Sequence, residues 1–286
     1  MILRKKFRLR LPSGSLELGG RTIVMGVLNV TPDSFSDGGK FFERVWAVEH
    51  ALAMEKAGAD ILDIGGESTR PGSEAISVDE ELARVRPVLK ALAGQIKIPI
   101  SIDTRKAAVA EAAIEAGAQI INDVTGLRAD PDLAKVAARH RVPLVLMHMR
   151  GEPRTMQKAP FARNVMADVL KALRQSIAIA RRAGVPKSQI VVDPGIGFGK
   201  NFEQNYELIA SLYELRKLGC AILIGTSRKA FVGHTLGKEP DERIWGTAAT
   251  VAASILAGAH IVRVHDVAEM VQVARVTDKI VEAMRR

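Results

Sequence analysis

The stretch IPISIDTR (residues 98–105) is a short apolar run with a proline near its start, and it ends in a carboxylate, a hydroxyl and a guanidinium. Apolar runs of roughly four to eight residues between such signals predict buried strands. The same design recurs along the chain, each time with polar residues where the apolar run ends. The recurrences are ILDIGGES (61–68), QIINDVT (119–125), PLVLMH (143–148), QIVVDP (189–194), AILIGTS (221–227) and HIVRVHD (260–266).

With TIVMGVLNV (22–30), these runs make eight strands, each followed by a predicted helix, for example over 202–218 and within 241–257. This alternation, without a linker or a low-complexity segment, predicts an α/β protein that forms a single parallel (β/α)8 TIM barrel. A doubly wound sheet is the alternative, but its first strand would run into a glycine-rich turn, and MGVLNVTPDSF (25–35) has none.

The N-terminal segment predicts a second element. Apolar and polar residues alternate on both sides of Pro12-Ser13-Gly14, which is typical of a β-hairpin (7–21) and would form a cap at one end of the barrel. We therefore predict one domain, residues 1–286, with the barrel over residues 22–284.

The composition favours a buried aliphatic core in a reducing compartment. Hydrophobic residues make up 47% of the chain and aromatic residues only 4%, a balance that suits helices packed on parallel strands. The single cysteine, Cys220, precedes an apolar strand and is predicted to be an inert buried thiol. No apolar segment follows the basic N-terminus, and the uncharged stretch 245–262 is interpreted as a buried helix and strand instead of a membrane span. We predict a cytoplasmic protein.

The formal net charge of +9 suggests two kinds of partner. Nucleic acid is one, but the basic residues are scattered apart from a cluster in residues 4–10, and few aromatic residues are present to stack on bases. A small anionic substrate, such as a phosphate ester, is the other. Most of the charges are expected on a solvated surface, so nucleic acid is not predicted as a partner, although the basic arm (1–10) leaves that question open.

The active site of a TIM barrel is built from the C-terminal ends of its strands and the loops after them. Here those positions carry carboxylates, amides, imidazoles and cations, which suit a nitrogen heterocycle that bears an anion. Asp63 and Asp123 are ambiguous, because each could face the helices instead. The full set is Asn29, Asp63, Asp103, Asn122, Asp123, His148, Asp193, Ser227, Arg228, Lys229, Arg263, His265 and Asp266.

Other kinds of site have less support. His148 and His265 lie on different strands without zinc-site spacing. GIGFG (195–199) follows Asp193-Pro194 and does not open directly into a helix, so it is interpreted as a turn that places Phe198 over the pocket, not as a dinucleotide loop.

Ile100 and Ile102 alternate with polar residues, which predicts that Asp103 faces the lumen of the barrel.

Eight segments in order along the chain resemble the dihydropteroate synthase family. They are NVTPDSFSDGG (29–39), DIGGESTRPGS (63–73), SIDT (101–104), INDVTG (121–126), LMHMRGEPRTMQ (146–157), DPGIGFGK (193–200), GTSRK (225–229) and RVHDV (263–267). The resemblance implies a TIM barrel, usually a homodimer. It also implies a transferase that joins 4-aminobenzoate to 6-hydroxymethyl-7,8-dihydropterin diphosphate and releases diphosphate, in folate biosynthesis.

The resemblance also implies roles for individual residues. Asp103, Asn122, Asp193 and Lys229 would form the pterin pocket, with Met147 packed on the ring. Arg263 and His265 would bind the diphosphate, and Asn29 would bind the accompanying Mg²⁺. The first loop (Asp33, Ser34, Phe35) and the second loop (Thr69, Arg70, Pro71) would close after pterin diphosphate binds. With Phe198 and Lys229 they would form the site for 4-aminobenzoate and sulfonamides.

Among these residues Asp33, Arg70 and Lys229 are the implied catalytic residues, and Asp33 would stabilise a cation or order the loops. Ala230 departs from the family, where serine is common. Two rival functions remain. A methyltetrahydrofolate:corrinoid methyltransferase would not need the diphosphate site, and a non-catalytic pterin-binding homologue would be expected to lack Arg70, Lys229 or Arg263, which are all present.

Overall fold

The polypeptide begins with an antiparallel hairpin and continues as eight parallel strands that alternate with helices. The computed structural model describes residues 4–31, 40–68, 72–151, 156 and 161–284. The strands are β1 (Phe7–Leu11), β2 (Gly14–Leu18), β3 (Ile23–Asn29), β4 (Ile61–Gly65), β5 (Ile100–Asp103), β6 (Ile120–Asp123), β7 (Leu144–Met147), β8 (Ile190–Asp193), β9 (Ala221–Ile224) and β10 (Ile261–Val264). The helices are α1 (Lys40–Ala57), α2 (Val78–Leu92), α3 (Ala107–Glu115), α4 (Leu133–His140), α5 (Val165–Arg182), α6 (Phe202–Ala210), α7 (Ala230–Leu236), α8 (Ile244–Leu256) and α9 (Val267–Ala283).

Strands β3 to β10 close a barrel in which the last strand, β10, pairs with the first, β3. Side chains alternate between the lumen and the surrounding helices. On β5, Ile100 and Ile102 belong to the core shared with the helices, and Asp103 points the other way, into the lumen. The predicted TIM barrel and the orientation of Asp103 are therefore confirmed.

The hairpin closes the N-terminal end of the barrel, as predicted. Leu9 and Leu18 are each 1% exposed and pack into an apolar layer of the lumen. The burial of each side chain stabilises the folded state by about 2 kcal/mol. The barrel residues of this layer are Ile23, Met25, Ile61, Ile120, Val145, Val191, Ala221, Leu223 and Ile261. Because this end is filled with hydrocarbon, the polar chemistry is confined to the opposite end.

Two details of the helix prediction were wrong. The stretch 202–218 is not one helix, because α6 ends at Ala210 and a 3₁₀ segment, Leu212–Leu218, follows. Between them Ser211 Oγ donates to the carbonyl of Glu207, the kind of local bond by which serine competes with helix propagation. Helix α7 was not predicted, since seven residues that contain Gly233 give too little periodicity.

Two other predictions hold among the described residues. Cys220 is buried, and burial raises the pKa of its thiol to about 11, so it remains protonated and unreactive. Residues 245–262 form most of α8 and, after a turn, the first two residues of β10. None of the helices in the described part of the chain has both the length and the apolar character that a membrane span needs.

Residues 4–10 of the basic N-terminal arm are part of the fold. Arg4 is buried, and its Nη1 donates to Thr22 Oγ1 at 2.7 Å and to the carbonyl of Ala259, while Nη2 donates to Asp278 on α9. Protein that lacks residues 1–10 would lose both this anchor and Leu9, and would not test nucleic-acid binding cleanly.

We expect Arg4→Ala to lower the free energy of unfolding by about 1.5–3 kcal/mol, because it removes a buried charge-assisted hydrogen bond to Asp278, which retains its bonds from the amide and the hydroxyl of Thr22. Urea denaturation measures this change. The control is Arg8→Ala, since Arg8 and Glu17 pair at 3.0 Å with both side chains more than two-thirds exposed, and such surface pairs contribute little. Equal effects of the two substitutions would contradict the anchoring role of Arg4.

Candidate active site

Polar side chains converge at the C-terminal end of the lumen around one guanidinium. Arg263, on β10, donates from Nε to Asp63 Oδ2 at 2.6 Å and from Nη2 to Asp103 Oδ2 at 2.7 Å. Asp63 Oδ2 also accepts from Asn122 Nδ2 at 3.0 Å. Asp63, whose orientation the sequence left open, therefore faces the lumen and joins three strands.

Asp123 has a different role, because it points away from this cluster. Its Oδ1 accepts from the amide and the hydroxyl of Thr125, at 2.8 and 2.7 Å, and its Oδ2 accepts from the amide of Leu127 at 2.5 Å. Burial raises the pKa of Asp123, and these hydrogen bonds oppose that rise. The residue shapes the turn after β6 and is structural.

Three hydrogen-bond acceptors face the open end of the lumen. Because the amide nitrogen of Asn122 donates to Asp63, its Oδ1 is left as an acceptor on the other side. Burial raises the pKa of Asp103, and Arg263 opposes this rise. Burial also raises the pKa of Asp193 to about 6, although the hydrogen bond from the Gly195 amide and the positive charges nearby oppose this rise. Those charges belong to Lys229, Lys200 and Arg263. These groups can bind the N–H edge of a heterocycle.

Lys229 provides a hydrogen-bond donor at the same end, and the turn before it is tightly held. Arg228 has a φ of +58° and donates from Nε and Nη2 to Asp266 at 3.1 and 2.5 Å. Its amide donates to Thr247 Oγ1, and its carbonyl accepts from Arg243. Burial, followed by repulsion from Arg263, lowers the pKa of Lys229 to about 8.

An apolar wall stands beside these polar groups. Phe198 packs in a cluster of buried side chains, and the Lys229 ammonium lies 4.2 Å from the centre of its ring. The other members of this cluster are Val124, Met147, Met149 and Met156. The turn that carries Phe198 requires glycine, since a Cβ on Gly195 (φ +68°) would lie 1.9 Å from the carbonyl oxygen of His148. The wall can pack against a flat ring.

His265 lies on the lumen side next to Arg263. Burial, and then Arg263, lower the pKa of His265 to about 3, so its imidazole is neutral at physiological pH. Its Nδ1 lies 3.0 Å from Ser227 Oγ, which also accepts from the His265 amide at 3.2 Å. The ring is thus held in place as a neutral hydrogen-bonding group beside a cation, which suits an anionic ligand.

Asn29 is the last residue of β3, and its side chain lies at the rim of the lumen. A Cβ on Gly65 would be 3.8 Å from Asn29 Oδ1 and 3.5 Å from the Cβ of Asp103. Because glycine has no Cβ, space remains between the Asn29 amide and the Asp103 side chain. Within the described residues, no group of three or more His, Cys, Asp or Glu could hold a metal ion. A single amide oxygen that shares a hard ion with ligand oxygens and water fits Mg²⁺.

The model of the pterin binding enzyme family matches residues 25–265. Dihydropteroate synthase from Clostridium beijerinckii is 50% identical to this chain over 274 residues, which cover 96% of this chain and 99% of the relative. The chain belongs to the dihydropteroate synthase family.

Two further proteins agree with this assignment. Dihydropteroate synthase from Synechocystis sp. is 48% identical over 94% of both chains. The structure of Xanthomonas albilineans dihydropteroate synthase with 4-aminobenzoic acid superposes with a TM-score of 0.90 at 44% identity, and covers 96% of this chain and 98% of that one. The predicted family, fold and transferase activity are confirmed.

The structure brings most of the residues predicted from the dihydropteroate synthase resemblance to one end of the barrel. Those that line or border the lumen there are Asn29, Asp103, Asn122, Met147, Asp193, Phe198, Lys229, Arg263 and His265. Asp33, Ser34, Phe35, Thr69, Arg70 and Pro71 lie outside the described residues. Their roles in a dihydropteroate synthase site stay predictions.

Sequence reasoning left one residue at this end of the dihydropteroate synthase barrel unresolved and missed another. Asp63 was named as a candidate, but the sequence did not show which face of β4 carries it and its neighbours Ile61 and Gly65 at two-residue spacing. Lys200 was not considered as a site residue, yet it is 2% exposed. No signal in the sequence distinguishes this lysine from a solvated one.

Proposed function

We propose that this chain condenses 4-aminobenzoate with 6-hydroxymethyl-7,8-dihydropterin diphosphate at the C-terminal end of its lumen. The observation that carries the proposal is the convergence of three acceptors, Asp103, Asn122 Oδ1 and Asp193, with one donor, Lys229, beside an apolar wall. A dihydropterin has amino and ring N–H groups along one edge and a carbonyl oxygen and ring nitrogen as acceptors. The polar groups match these edges in kind.

The proposed reaction is a substitution at the methylene carbon that bears the diphosphate. The carbon–oxygen bond breaks first, and Arg263 and the neutral His265 stabilise the negative charge that develops on the leaving group. The cation left on the methylene is delocalised into the pterin ring, where Asp103 and Asp193 supply negative potential. Phe198 and Met147 pack against the ring and exclude water.

The arylamine nitrogen then forms the new carbon–nitrogen bond. The nitrogen is neutral and already nucleophilic, and the arylammonium that results is acidic enough to lose its proton to water, so no strong base is required. Arg70 and Asp33 would act from the second and first loops, with Thr69 and Pro71 beside Arg70. When bound, Mg²⁺ would supply positive charge to the leaving diphosphate, and the Asn29 amide oxygen would help to hold it.

Calorimetry tests the proposed reaction. Pterin diphosphate with Mg²⁺ should bind the free protein, and 4-aminobenzoate should bind only when it is added afterwards, because the first ligand completes the second site. Absence of pterin diphosphate binding would overturn the assignment. Equal binding of 4-aminobenzoate in both orders of addition would contradict the ordered mechanism alone.

We expect Asn29→Ala to abolish the effect of Mg²⁺ on pterin diphosphate affinity. The wild-type affinity should rise when Mg²⁺ replaces EDTA, whereas the variant should bind equally in both buffers, because a metal ligand is missing. Calorimetry with a pterin that lacks the diphosphate provides the control, since its affinity should not change. A full Mg²⁺ effect in the variant would exclude Asn29 as a ligand.

We also propose that the protein is a homodimer that uses the adjacent helices α8 and α9. These helices expose Trp245, Val276 and Ile280, at 81%, 64% and 45%, and the last two lie one turn apart on α9. Exposed apolar side chains on two adjacent helices support an interface. The cytoplasmic location stays a prediction.

The double substitution Val276→Glu and Ile280→Glu is expected to convert the dimer to a monomer, because it places two carboxylates in an apolar contact. Light scattering after size-exclusion chromatography measures the mass. Lys135→Glu, an exposed change on α4, is the matched control and should leave the dimer intact. A wild-type protein that is monomeric at all concentrations would refute the proposal.

A further inference from the structure

Lys200 is a buried cation that has no role in the reaction proposed above. Its Nζ lies 2.7 Å from the carbonyl oxygen of Gly195, 3.0 Å from that of His148 and 2.8 Å from His148 Nδ1. An ammonium has three N–H groups, and three acceptors surround it. The geometry therefore satisfies the protonated side chain completely, although burial lowers the pKa of Lys200 from its ordinary value.

The acceptors of Lys200 belong to the two segments that hold Asp193. The amide of His148, which follows β7, donates to the carbonyl of Asp193 at 2.9 Å. The amide of Gly195, which follows β8, donates to Asp193 Oδ1 at 2.7 Å. The Gly195 carbonyl also accepts from the amide of Phe198 at 3.1 Å. One ammonium thus ties together the backbone on both sides of Asp193 and the turn that carries Phe198.

We propose that Lys200 is a positioning residue for the pterin site, and that it orients the Asp193 carboxylate and the Phe198 ring by fixing the turn after β8 against the end of β7. This inference rests on the proposed role of Asp193 in pterin binding. Lys200 acts through these two residues and does not itself touch the ligand.

The electrostatic surroundings agree with this role. Burial and the Lys200 charge lower the pKa of His148 to about 2, so the imidazole remains neutral and its Nδ1 can accept. The other charged groups near Lys200 are Asp193, Asp168, Lys229 and Arg128. Those near Asp193 are Lys229, Lys200 and Arg263, and all three favour its ionised form. Loss of the Lys200 charge would raise the pKa of Asp193.

The test is Lys200→Met, which keeps the length of the side chain and removes the charge and the donors. We expect the Kd for pterin diphosphate to rise at least about 10-fold at pH 7 and the acidic limb of its pH profile to move to higher pH. Lys135→Met, in which an exposed lysine is changed, is the matched control. A folded Lys200→Met protein with wild-type Kd and an unmoved acidic limb would overturn the proposal, since a merely structural lysine would alter only stability.

If Lys200→Met does not fold, two variants at His148 test the positioning role of Lys200 instead. Asparagine can present an oxygen close to the position of Nδ1, whereas leucine cannot, so His148→Leu should weaken pterin diphosphate binding at least about 5-fold more than His148→Asn. Equal affinities would overturn the proposal. Failure of the wild-type protein to bind pterin diphosphate would refute the proposed function instead, so the two failures are distinguishable.

Discussion

Asp193→Asn should weaken pterin diphosphate binding by about 100- to 1000-fold, while the ligand-free protein becomes more stable at pH 8. The loss follows because an amide presents N–H where the ligand also presents N–H. A buried charge-assisted pair that is broken in this way costs about 3–4 kcal/mol. The gain in stability follows because the buried carboxylate is costly to ionise in the folded protein.

The stability change should depend on pH in a defined direction. Burial raises the pKa of Asp193 from 3.8 to about 6. The folded protein favours the neutral form of Asp193. The Asp193 side chain therefore does not lower the stability of the folded state below about pH 4, and it lowers that stability increasingly as the pH rises through about 6. A pKa difference of this size corresponds to about 3 kcal/mol. Asp193→Asn should therefore exceed the wild type in stability at pH 8 and match it at pH 4.

Calorimetry and urea denaturation at the two pH values measure these effects. The matched control is Asp123→Asn, a buried carboxylate at the end of β6 that faces away from the lumen. It should lose stability, because one oxygen that accepts from Leu127 becomes a donor, and it should retain its affinity for pterin diphosphate. If Asp193→Asn bound the ligand with wild-type affinity, Asp193 would not be a pterin acceptor.

Lys229→Ala should lower kcat/KM by about 1000-fold and leave the fold intact. The ammonium is the donor among the lumen groups assigned to the pterin, and removal of one such preorganised donor typically costs about 100- to 1000-fold in rate. The turn that carries Lys229 is held by Arg228, through Asp266 and Thr247, and not by the lysine side chain. The melting temperature should therefore change by no more than about 2 °C.

Steady-state kinetics and thermal denaturation test this prediction together. Lys238→Ala is the control, because Lys238 lies just beyond α7, is exposed and pairs with Glu242 at 2.8 Å. It should have normal turnover. Near-normal turnover in Lys229→Ala would remove the lysine from the mechanism. A large fall in melting temperature would instead indicate a structural role.

The barrel could be predicted because its strands carry local signals. Each is a short apolar run with polar residues at one end, and in β5 the alternation of Ile100 and Ile102 with Ser101 and Asp103 also indicates which side faces the lumen. β4 lacks this signal. Ile61, Leu62 and Ile64 are all apolar and buried, as is usual for parallel strands, so the side on which Asp63 lies had to come from the structure.

The pairings inside the site could not be predicted, because they depend on distance and not on residue type. Arg263 resembled a free diphosphate ligand, yet two of its nitrogens are bound to Asp63 and Asp103, at 200 and 160 positions of separation. Lys200 is polar and lies in a glycine-rich turn, which suggests solvent exposure. Only the arrangement of β7 and β8 shows that three acceptors surround it.

The hairpin and Arg4 impose an order on biosynthesis. They are translated before the barrel, but Arg4 reaches Asp278, 274 positions later, and Leu9 and Leu18 pack in the apolar layer that includes Ile261 of β10, the last strand of the barrel. β3 likewise awaits β10 before the barrel can close. Contacts of such long sequence separation form slowly. Leu9, Leu18 and Arg4 therefore remain without these partners until β10 and α9 have been translated.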